Sequence, residues 1–225
     1  MNPRIKICCI QSIEEARIAI KSGASALGLV AKMPSGPGPI GDELIMTIAD
    51  AVPPPIATFL LTSETSIGEV VKHHQRTLTN AIQLVDLLAD GTYAELKDAL
   101  PAVKVIQVIH VIDENSVELA CRISESVDAL LLDSGNPNLA VKELGGTGRV
   151  HNWKLSRKIR DAAKCPLFLA GGLKPDNVRQ ALEEVKPFGV DVCNGVRTDG
   201  FLDRRKLEKF VEQVNLSGCT ISPNA

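Results

Sequence analysis

Short apolar segments alternate with longer amphipathic segments along the whole chain. The apolar segments end at glycine, proline or polar residues, which is typical of buried strands. The pattern predicts eight strands, over Arg4–Cys8, Ala26–Val30, Ile56–Leu61, Ala81–Val85, Val103–Val111, Ala129–Leu132, Pro166–Ala170 and Val190–Cys193.

A segment with the apolar spacing of an amphipathic helix follows each strand. The predicted helices cover Ile13–Lys21, Asp42–Ala51, Ile67–Gln75, Tyr93–Leu100, Ser116–Ser124, Lys154–Ala163, a seventh that opens at Pro175, and Arg204–Val214. Ser12 and Asn152 stand at N-cap positions, and Pro175 suits the first helical position. We expect residues 216–225 to form a frayed tail.

Strict alternation of strands and helices implies a parallel sheet. Eight units of roughly 28 residues approach the length of a (β/α)8 TIM barrel. An open doubly wound sheet is the alternative, because alternation alone does not show closure. No linker or change of composition divides the chain, so we predict a single domain, with the barrel over residues 1–215.

Composition restricts the partners and the compartment. A net charge of −2 and an aromatic content of 3% argue against nucleic acid or a membrane surface as partner. The apolar runs are too short to cross a membrane, and Met1–Arg4 lead into a strand without a signal-peptide core. Six cysteines include the adjacent pair Cys8 and Cys9 but no Cys-x-x-Cys spacing. We expect the others to be buried small apolar residues in a reducing cytoplasm.

Two residues at strand ends are the catalytic candidates, because sites in such barrels lie at the carboxyl ends of the strands. Asp133 ends the apolar run Leu130–Leu132, and Cys8 ends the first strand. A carboxyl group or a thiol there can act as an acid or a base. The alternatives are that Asp133 only starts a turn and that Cys8 is a buried small residue.

Lys6 is a charged residue within the first strand, and an inward-facing lysine in a barrel core needs a partner. After closure the eighth strand neighbours the first, so Asp191 is a candidate partner. We expect this pair to be structural.

Glycine-rich loops follow the last three strands and predict a phosphate site, because glycines let backbone amides approach an anion. The predicted phosphate-binding residues are Gly146, Thr147, Gly171, Gly172, Asn194, Gly195 and Arg197. Arg197 is alternatively a solvated loop charge. The histidines share no metal-binding spacing, and no feature asks for a metal or an organic cofactor.

Six motifs of this chain resemble those of the phosphoribosylanthranilate isomerase family. They are Lys6–Ile10, Leu130–Asp133, Gly145–Gly148, Leu169–Leu173, Pro175–Val178 and Gly189–Val192. The resemblance implies a (β/α)8 barrel that catalyses an Amadori rearrangement of a phosphoribosyl amine, with Cys8 as general base and Asp133 as general acid. It also implies phosphate binding at Gly146, Gly171–Gly172 and Gly195. The expected partner is a phosphorylated sugar substrate, and the expected state is a monomer or a homodimer.

The chemistry suits these two residue types. An acid must protonate the furanose oxygen so that the ring opens, and a base must take the proton from C2′. A carboxyl group that keeps its proton near neutral pH needs an apolar or anionic setting, and the leucines before Asp133 are consistent with that.

Four departures from the family pattern affect the rest of the pocket. Cys9 replaces the usual glycine, the loop Pro34–Gly38 lacks the arginine that holds the anthranilate, Asp86 replaces a glycine, and Arg197 replaces a glutamate. Lys32 or Arg197 could replace the missing cation at the aromatic end. Three functions therefore stay open: the isomerase itself, a divergent paralogue that acts on another phosphorylated sugar, and a non-catalytic phosphometabolite-binding protein.

Overall fold

The structure is a computed structural model that describes residues 2–136, 139, 142, 144 and 148–218. Eight parallel strands close into a barrel in chain order, with the last pairing to the first, which confirms the predicted (β/α)8 fold. The strands are β1 (Arg4–Ile7), β2 (Ala26–Val30), β3 (Ala57–Thr62), β4 (Ala81–Leu84), β5 (Lys104–His110), β6 (Ala129–Asp133), β7 (Leu167–Leu169) and β8 (Gly189–Val192).

Eight helices surround the barrel. They are α1 (Ile13–Lys21), α2 (Asp42–Ala51), α3 (Ile67–Thr77), α4 (Tyr93–Ala99), α5 (Glu114–Ser124), α6 (Trp153–Ala162), α7 (Val178–Val185) and α8 (Arg204–Gly218). A 3-10 turn at Asn194–Val196 and the short strands β9 (Arg197–Thr198) and β10 (Phe201–Leu202), which the sequence pattern does not predict, connect β8 to α8. None of the described helices combines the length and the apolarity needed to cross a membrane.

The eight barrel strands are buried on both faces, which explains why they are nearly continuous apolar runs rather than alternating ones. Outward-facing residues such as Leu27, Leu60 and Ile82 pack against the helices. Inward-facing residues such as Phe59 and Phe168 fill the barrel. Their rings pack edge to face, with the ring centroids 6.1 Å apart.

Local capping explains where several helices begin. The side chains of Ser12 and Asn152 accept hydrogen bonds from the first turns of α1 and α6, as predicted. The predicted opening of the seventh helix at Pro175 is wrong: α7 begins at Val178. The amides of Asn177 and Val178 both donate to the carbonyl of Lys174, which closes a turn before the helix.

The last helix extends beyond the predicted barrel boundary at residue 215, because α8 continues to Gly218. Val214 is fully buried in the core and holds the last turns of the helix against the barrel. The remainder of the predicted tail, residues 219–225, lies outside the described residues.

A disulfide between Cys9 and Cys193 links the segments that follow β1 and β8, with the Cα atoms 5.9 Å apart. Cys9 has a φ of +61°, a left-handed conformation that glycine adopts more easily. The expectation that the remaining cysteines are buried small residues is wrong, because Cys121, Cys165 and Cys193 are all partly exposed. Cysteine content therefore gives no argument for a reducing compartment, and the cytoplasmic location stays a prediction.

Arg197 is held in a buried ion pair at the start of the β8–α8 connection. Its guanidinium donates to both carboxylate oxygens of Glu15 at 2.9 and 3.0 Å, and also to the carbonyls of Cys9 and Gly200. The predicted phosphate-binding role of Arg197 is therefore wrong, because α1 supplies a carboxylate that occupies the guanidinium. The alternative of a solvated charge is also wrong, since the side chain is only 4% exposed.

We predict that the disulfide stabilises the fold. It closes a segment of 184 residues, and Cys193→Ala should lower the free energy of unfolding by about 2–4 kcal/mol. Urea denaturation should show the same loss when a reducing agent is added to the unmodified chain. Cys121→Ala is the matched control and should keep the response to reduction. Equal stability of the oxidised and reduced chain would contradict the prediction.

We also predict that Arg197→Ala destabilises the fold by about 3–5 kcal/mol, because it leaves the Glu15 carboxylate buried without a cation. Arg204→Ala, which removes an exposed pair with Glu208, is the control and should cost less than about 1 kcal/mol. Urea denaturation measures both changes.

The destabilisation caused by Arg197→Ala should depend on pH, because the Glu15 carboxyl group titrates. Burial alone would raise the pKa of the Glu15 carboxyl, but hydrogen bonds from Arg197, Leu202 and Gln11 outweigh it and hold the pKa below its usual value. The stabilisation is fully present above the ordinary glutamate pKa of about 4.3 and is lost as the pH falls through the lowered value. The difference between the unmodified chain and Arg197→Ala should therefore shrink in acid. A difference that grew there would contradict this assignment.

Candidate active site

A cavity of about 270 Å³ opens at the carboxyl ends of the strands. This is the end of a (β/α)8 barrel where active sites lie. Cys8 and Asp133 both line the cavity, so the structure brings the two predicted catalytic side chains to one space.

Cys8 follows β1, and its thiol faces the barrel interior. Its amide donates to the carbonyl of Val192 at 2.9 Å, which fixes the residue against β8. A Cβ on Gly28 would lie 2.7 Å from the Cys8 sulfur, so the thiol occupies space that only a glycine leaves. Burial raises the pKa of the Cys8 thiol to about 11, although the Lys6 ammonium opposes that shift.

Asp133 ends β6 and is 9% exposed. One carboxylate oxygen accepts a hydrogen bond from the backbone amide of Ser134 at 2.7 Å. Asp133 therefore starts a turn as well as lining the cavity. Burial raises the pKa of the Asp133 carboxyl, and the Ser134 amide and His110 only partly oppose the rise. A raised pKa is what a carboxylic acid needs if it is to donate a proton near neutral pH.

Lys6 and Asp191 form an ion pair beneath these two residues, as the closure of the barrel predicts. The ammonium lies 3.0 Å from one carboxylate oxygen of Asp191, and the two side chains are 0% and 8% exposed. The other oxygen, Oδ1, is buried and has no hydrogen-bond partner among the described residues. Asp191 is also one of the residues that line the cavity.

The loops after β7 and β8 form the phosphate-binding candidate. Among the described residues, no hydrogen bond starts from the backbone amides of Gly171, Gly172 or Gly195, and all three residues line the cavity with Asn194. A Cβ on Gly195 would lie 2.0 Å from the Leu173 carbonyl oxygen, so the two loops touch through bare backbone. Free amides on closely packed glycine loops are suited to bind an anion.

Two of the predicted phosphate-binding residues, Gly146 and Thr147, lie outside the described residues. Gly148 of the same loop is described and lines the cavity.

Sequence reasoning missed Lys174, which lines the cavity beside the glycine loop. The motif Leu169–Leu173 ends one residue before it, and the signal that points to Lys174 is its place as the first charged residue after Gly171–Gly172. It also missed Gln83, a buried side chain on β4 that lines the cavity with its Oε1 unpartnered within the described residues.

Two predicted cations are not at the cavity. Lys32 is exposed and lies outside the cavity wall, while Met33, Ser35 and Pro37 of the same loop line it. The prediction that Lys32 holds the other end of the substrate is therefore wrong, because the loop turns neighbouring side chains inward instead. Arg197 is likewise absent from the wall, since Glu15 binds it.

Two described residues of the segment after β6 make contacts at the cavity or beside it. Lys142 forms an ion pair with Asp86, and the Ser35 hydroxyl donates to the Lys142 carbonyl at 2.6 Å. Leu144 of that loop lines the cavity. Asp86, which departs from the family motif, thus anchors a loop rather than facing the cavity. Nowhere in the described ranges do three or more His, Cys, Asp or Glu side chains group so as to hold a metal ion.

Comparisons with known proteins place the chain in a family. A family profile described as N-(5′-phosphoribosyl)anthranilate (PRA) isomerase matches residues 5–213. A relative from Methanocella arvoryzae, N-(5′-phosphoribosyl)anthranilate isomerase, is 33% identical over 95% of this chain and 99% of its own.

Solved structures show the same likeness. N-(5′-phosphoribosyl)anthranilate isomerase from Pyrococcus furiosus is 28% identical with a TM-score of 0.79, covering 95% of this chain and 99% of its own. A phosphoribosyl anthranilate isomerase in complex with reduced 1-(o-carboxyphenylamino)-1-deoxyribulose 5-phosphate is 28% identical with a TM-score of 0.76, covering 95% and 98%. The chain therefore belongs to the N-(5′-phosphoribosyl)anthranilate isomerase family, the intramolecular isomerases of tryptophan biosynthesis.

Proposed function

We propose that this chain converts N-(5′-phosphoribosyl)anthranilate to the corresponding 1-deoxyribulose 5-phosphate, with Asp133 as general acid and Cys8 as general base. The observation that carries the proposal is that both residues line one cavity, together with glycines of the β7 and β8 loops whose amides have no hydrogen-bond acceptor among the described residues.

Asp133 acts first. Burial raises the pKa of the Asp133 carboxyl, which favours its protonated form, and in the proposed step that form donates its proton to the furanose oxygen as the C1′–O bond breaks. The nitrogen lone pair forms the C1′=N bond of a Schiff base, and the open-chain sugar gains a hydroxyl group.

Cys8 then removes the proton from C2′. The C–H electron pair becomes the C1′=C2′ bond, and the C1′=N pair returns to nitrogen, which gives the enol. Loss of the enol proton and protonation of C1′ give the aminoketose. The two assignments are linked, because the Asp133 carboxylate raises the pKa of Cys8 and a protonated Asp133 does not.

The phosphate group is bound at the end of the cavity opposite the aromatic ring. We assign it to the amides of Gly171, Gly172 and Gly195, with Lys174 as the neighbouring cation. Met33, Leu61 and other apolar wall residues offer a surface for the ring. We expect the reduced analogue that a related structure contains to bind this chain in the same orientation.

A second candidate function is turnover of a different phosphorylated sugar. It is favoured by the Pro34–Gly38 loop, which has no arginine, and by the placement of Lys32 and Arg197 away from the cavity. A carboxylate at the aromatic end would then have no bidentate cation among the described residues of the wall.

Complementation separates the two functions. Expression of this chain in a tryptophan auxotroph that lacks the isomerase should restore growth without tryptophan. If a folded, expressed chain fails to restore growth yet binds ribose 5-phosphate in calorimetry, the second function is favoured.

We predict that Cys8→Ser and Asp133→Asn each lower kcat by about 10²–10⁴-fold, because a hydroxyl is a poor base and an amide cannot donate an acidic proton. Both variants are nearly isosteric, so ribose 5-phosphate binding should change little. Cys165→Ser, which alters a thiol outside the cavity, is the control and should keep full activity. Normal turnover by Cys8→Ser would exclude Cys8 as the base, and unfolding of Asp133→Asn would assign Asp133 to the turn alone.

We predict that Lys174→Met weakens ribose 5-phosphate binding about tenfold, equivalent to about 1.4 kcal/mol, because one cation is lost beside the phosphate. Lys164→Met, an exposed lysine away from the cavity, is the matched control. Isothermal titration calorimetry measures both. Unchanged binding by Lys174→Met would mean that the loop amides bind the phosphate without a cation from this residue.

A further inference from the structure

Lys6 is a charged side chain that the proposed reaction does not use. It lies two residues before Cys8 on the same inward-facing side of β1 and is fully buried. Its contacts are the Asp191 carboxylate at 3.0 Å and the face of the Phe59 ring, whose centroid is 5.3 Å away. An ammonium in such a place is costly unless its charge is compensated.

The Lys6 ammonium and the Cys8 thiol both lie close to Gly28. A Cβ on Gly28 would lie 3.0 Å from the Lys6 nitrogen and 2.7 Å from the Cys8 sulfur. The two atoms are therefore within about 6 Å of each other, the range in which a charge changes the ionisation of its neighbour. Any larger residue at Gly28 would push the two groups apart.

The surroundings of Lys6 favour the charged form of its ammonium group. Burial alone would lower the pKa of the Lys6 ammonium, but Asp191 and Cys8 outweigh it and hold that pKa above its usual value. An ammonium has three donors, and Asp191 is its one ion-pair partner among the described residues. Lys6 thus keeps a positive charge beneath the cavity floor at neutral pH.

We propose that Lys6 is a positioning residue for Cys8, whose ammonium stabilises the thiolate that accepts the proton from C2′ while Asp191 anchors the ammonium. The inference rests on the proposed function, because it gives Cys8 the role of base. Lys6 makes no contact with the reacting atoms and acts through the sulfur.

The charged groups around the Cys8 sulfur determine whether each substitution should raise or lower the pKa of the thiol. Lys6 lowers the pKa of Cys8, whereas Asp191 and Asp133 raise it and burial raises it most. Gly28 of the neighbouring strand β2 and the Phe59 ring of β3 lie beside these groups and carry no charge. Removal of Lys6 and removal of Asp191 should therefore move the thiol pKa in opposite directions.

The test compares Asp191→Asn with the double variant Lys6→Met/Asp191→Asn. The double variant removes both charges and leaves no unpaired carboxylate, so it is the form expected to fold. The thiolate midpoint of Cys8 is read from ultraviolet absorbance as a function of pH, as the difference between each protein and its Cys8→Ser version.

We expect the double variant to raise the Cys8 midpoint by about one pH unit or more and Asp191→Asn to lower it. At neutral pH the double variant should lose about tenfold or more in kcat with KM nearly unchanged, and its alkaline activity should partly recover. Glu15→Gln/Arg197→Met, which neutralises the other buried pair, is the matched control and should leave the Cys8 midpoint unchanged.

Equal midpoints in all these proteins, or a shift in the same direction for both variants, would overturn the inference and leave Lys6 a structural residue. Failure of the proposed function is distinguishable. If Cys8→Ser stays active while the midpoints move as expected, the base assignment fails and the coupling between Lys6 and Cys8 stands.

Discussion

The ion pair between Lys6 and Asp191 is the constraint on which the site depends. It joins the first and last strands at the level where Lys6 and Asp191 are direct register partners, so it lies on the seam that closes the barrel. Loss of either partner alone would leave a buried charge uncompensated. The pair also explains the glycine at position 28, since the ammonium and the thiol use the space that a side chain there would fill.

The proposed chemistry at the mouth of the barrel depends on the positive charge of Lys6. A cation in an apolar interior can favour a nearby thiolate, while burial raises the pKa of the Asp133 carboxyl on the other side of the cavity. In the proposed reaction, the environment separates a base that follows β1 from an acid at the end of β6. We propose that the amides of the adjacent β7 and β8 loops bind the phosphate, which would hold the substrate at one end while it reacts in the middle.

Alternation of apolar and amphipathic segments predicted eight parallel strand–helix units, because every barrel strand is buried on both faces. It did not separate a closed barrel from an open sheet, since closure depends on the pairing of β1 with β8, which lie at opposite ends of the chain. Cys8, Asp133 and the Lys6–Asp191 pair were predictable because strand ends in a parallel barrel meet at one rim. Arg197 and Cys193 were not, since Glu15 and Cys9 lie more than 180 residues away in the chain and no local pattern marks such contacts. Lys32 failed for a related reason: the direction of a side chain in an irregular loop depends on tertiary packing.

In the proposed reaction, one sugar lies between Cys8 and Asp133 with its phosphate on the β7 and β8 loops. A crystal structure of this chain with reduced 1-(o-carboxyphenylamino)-1-deoxyribulose 5-phosphate tests that claim most directly. We expect phosphate oxygens within hydrogen-bond distance of the Gly172 and Gly195 amides, and the sugar in contact with both the Cys8 sulfur and the Asp133 carboxyl group. A phosphate bound elsewhere, or a sugar that contacts only one of the two side chains, would contradict the account.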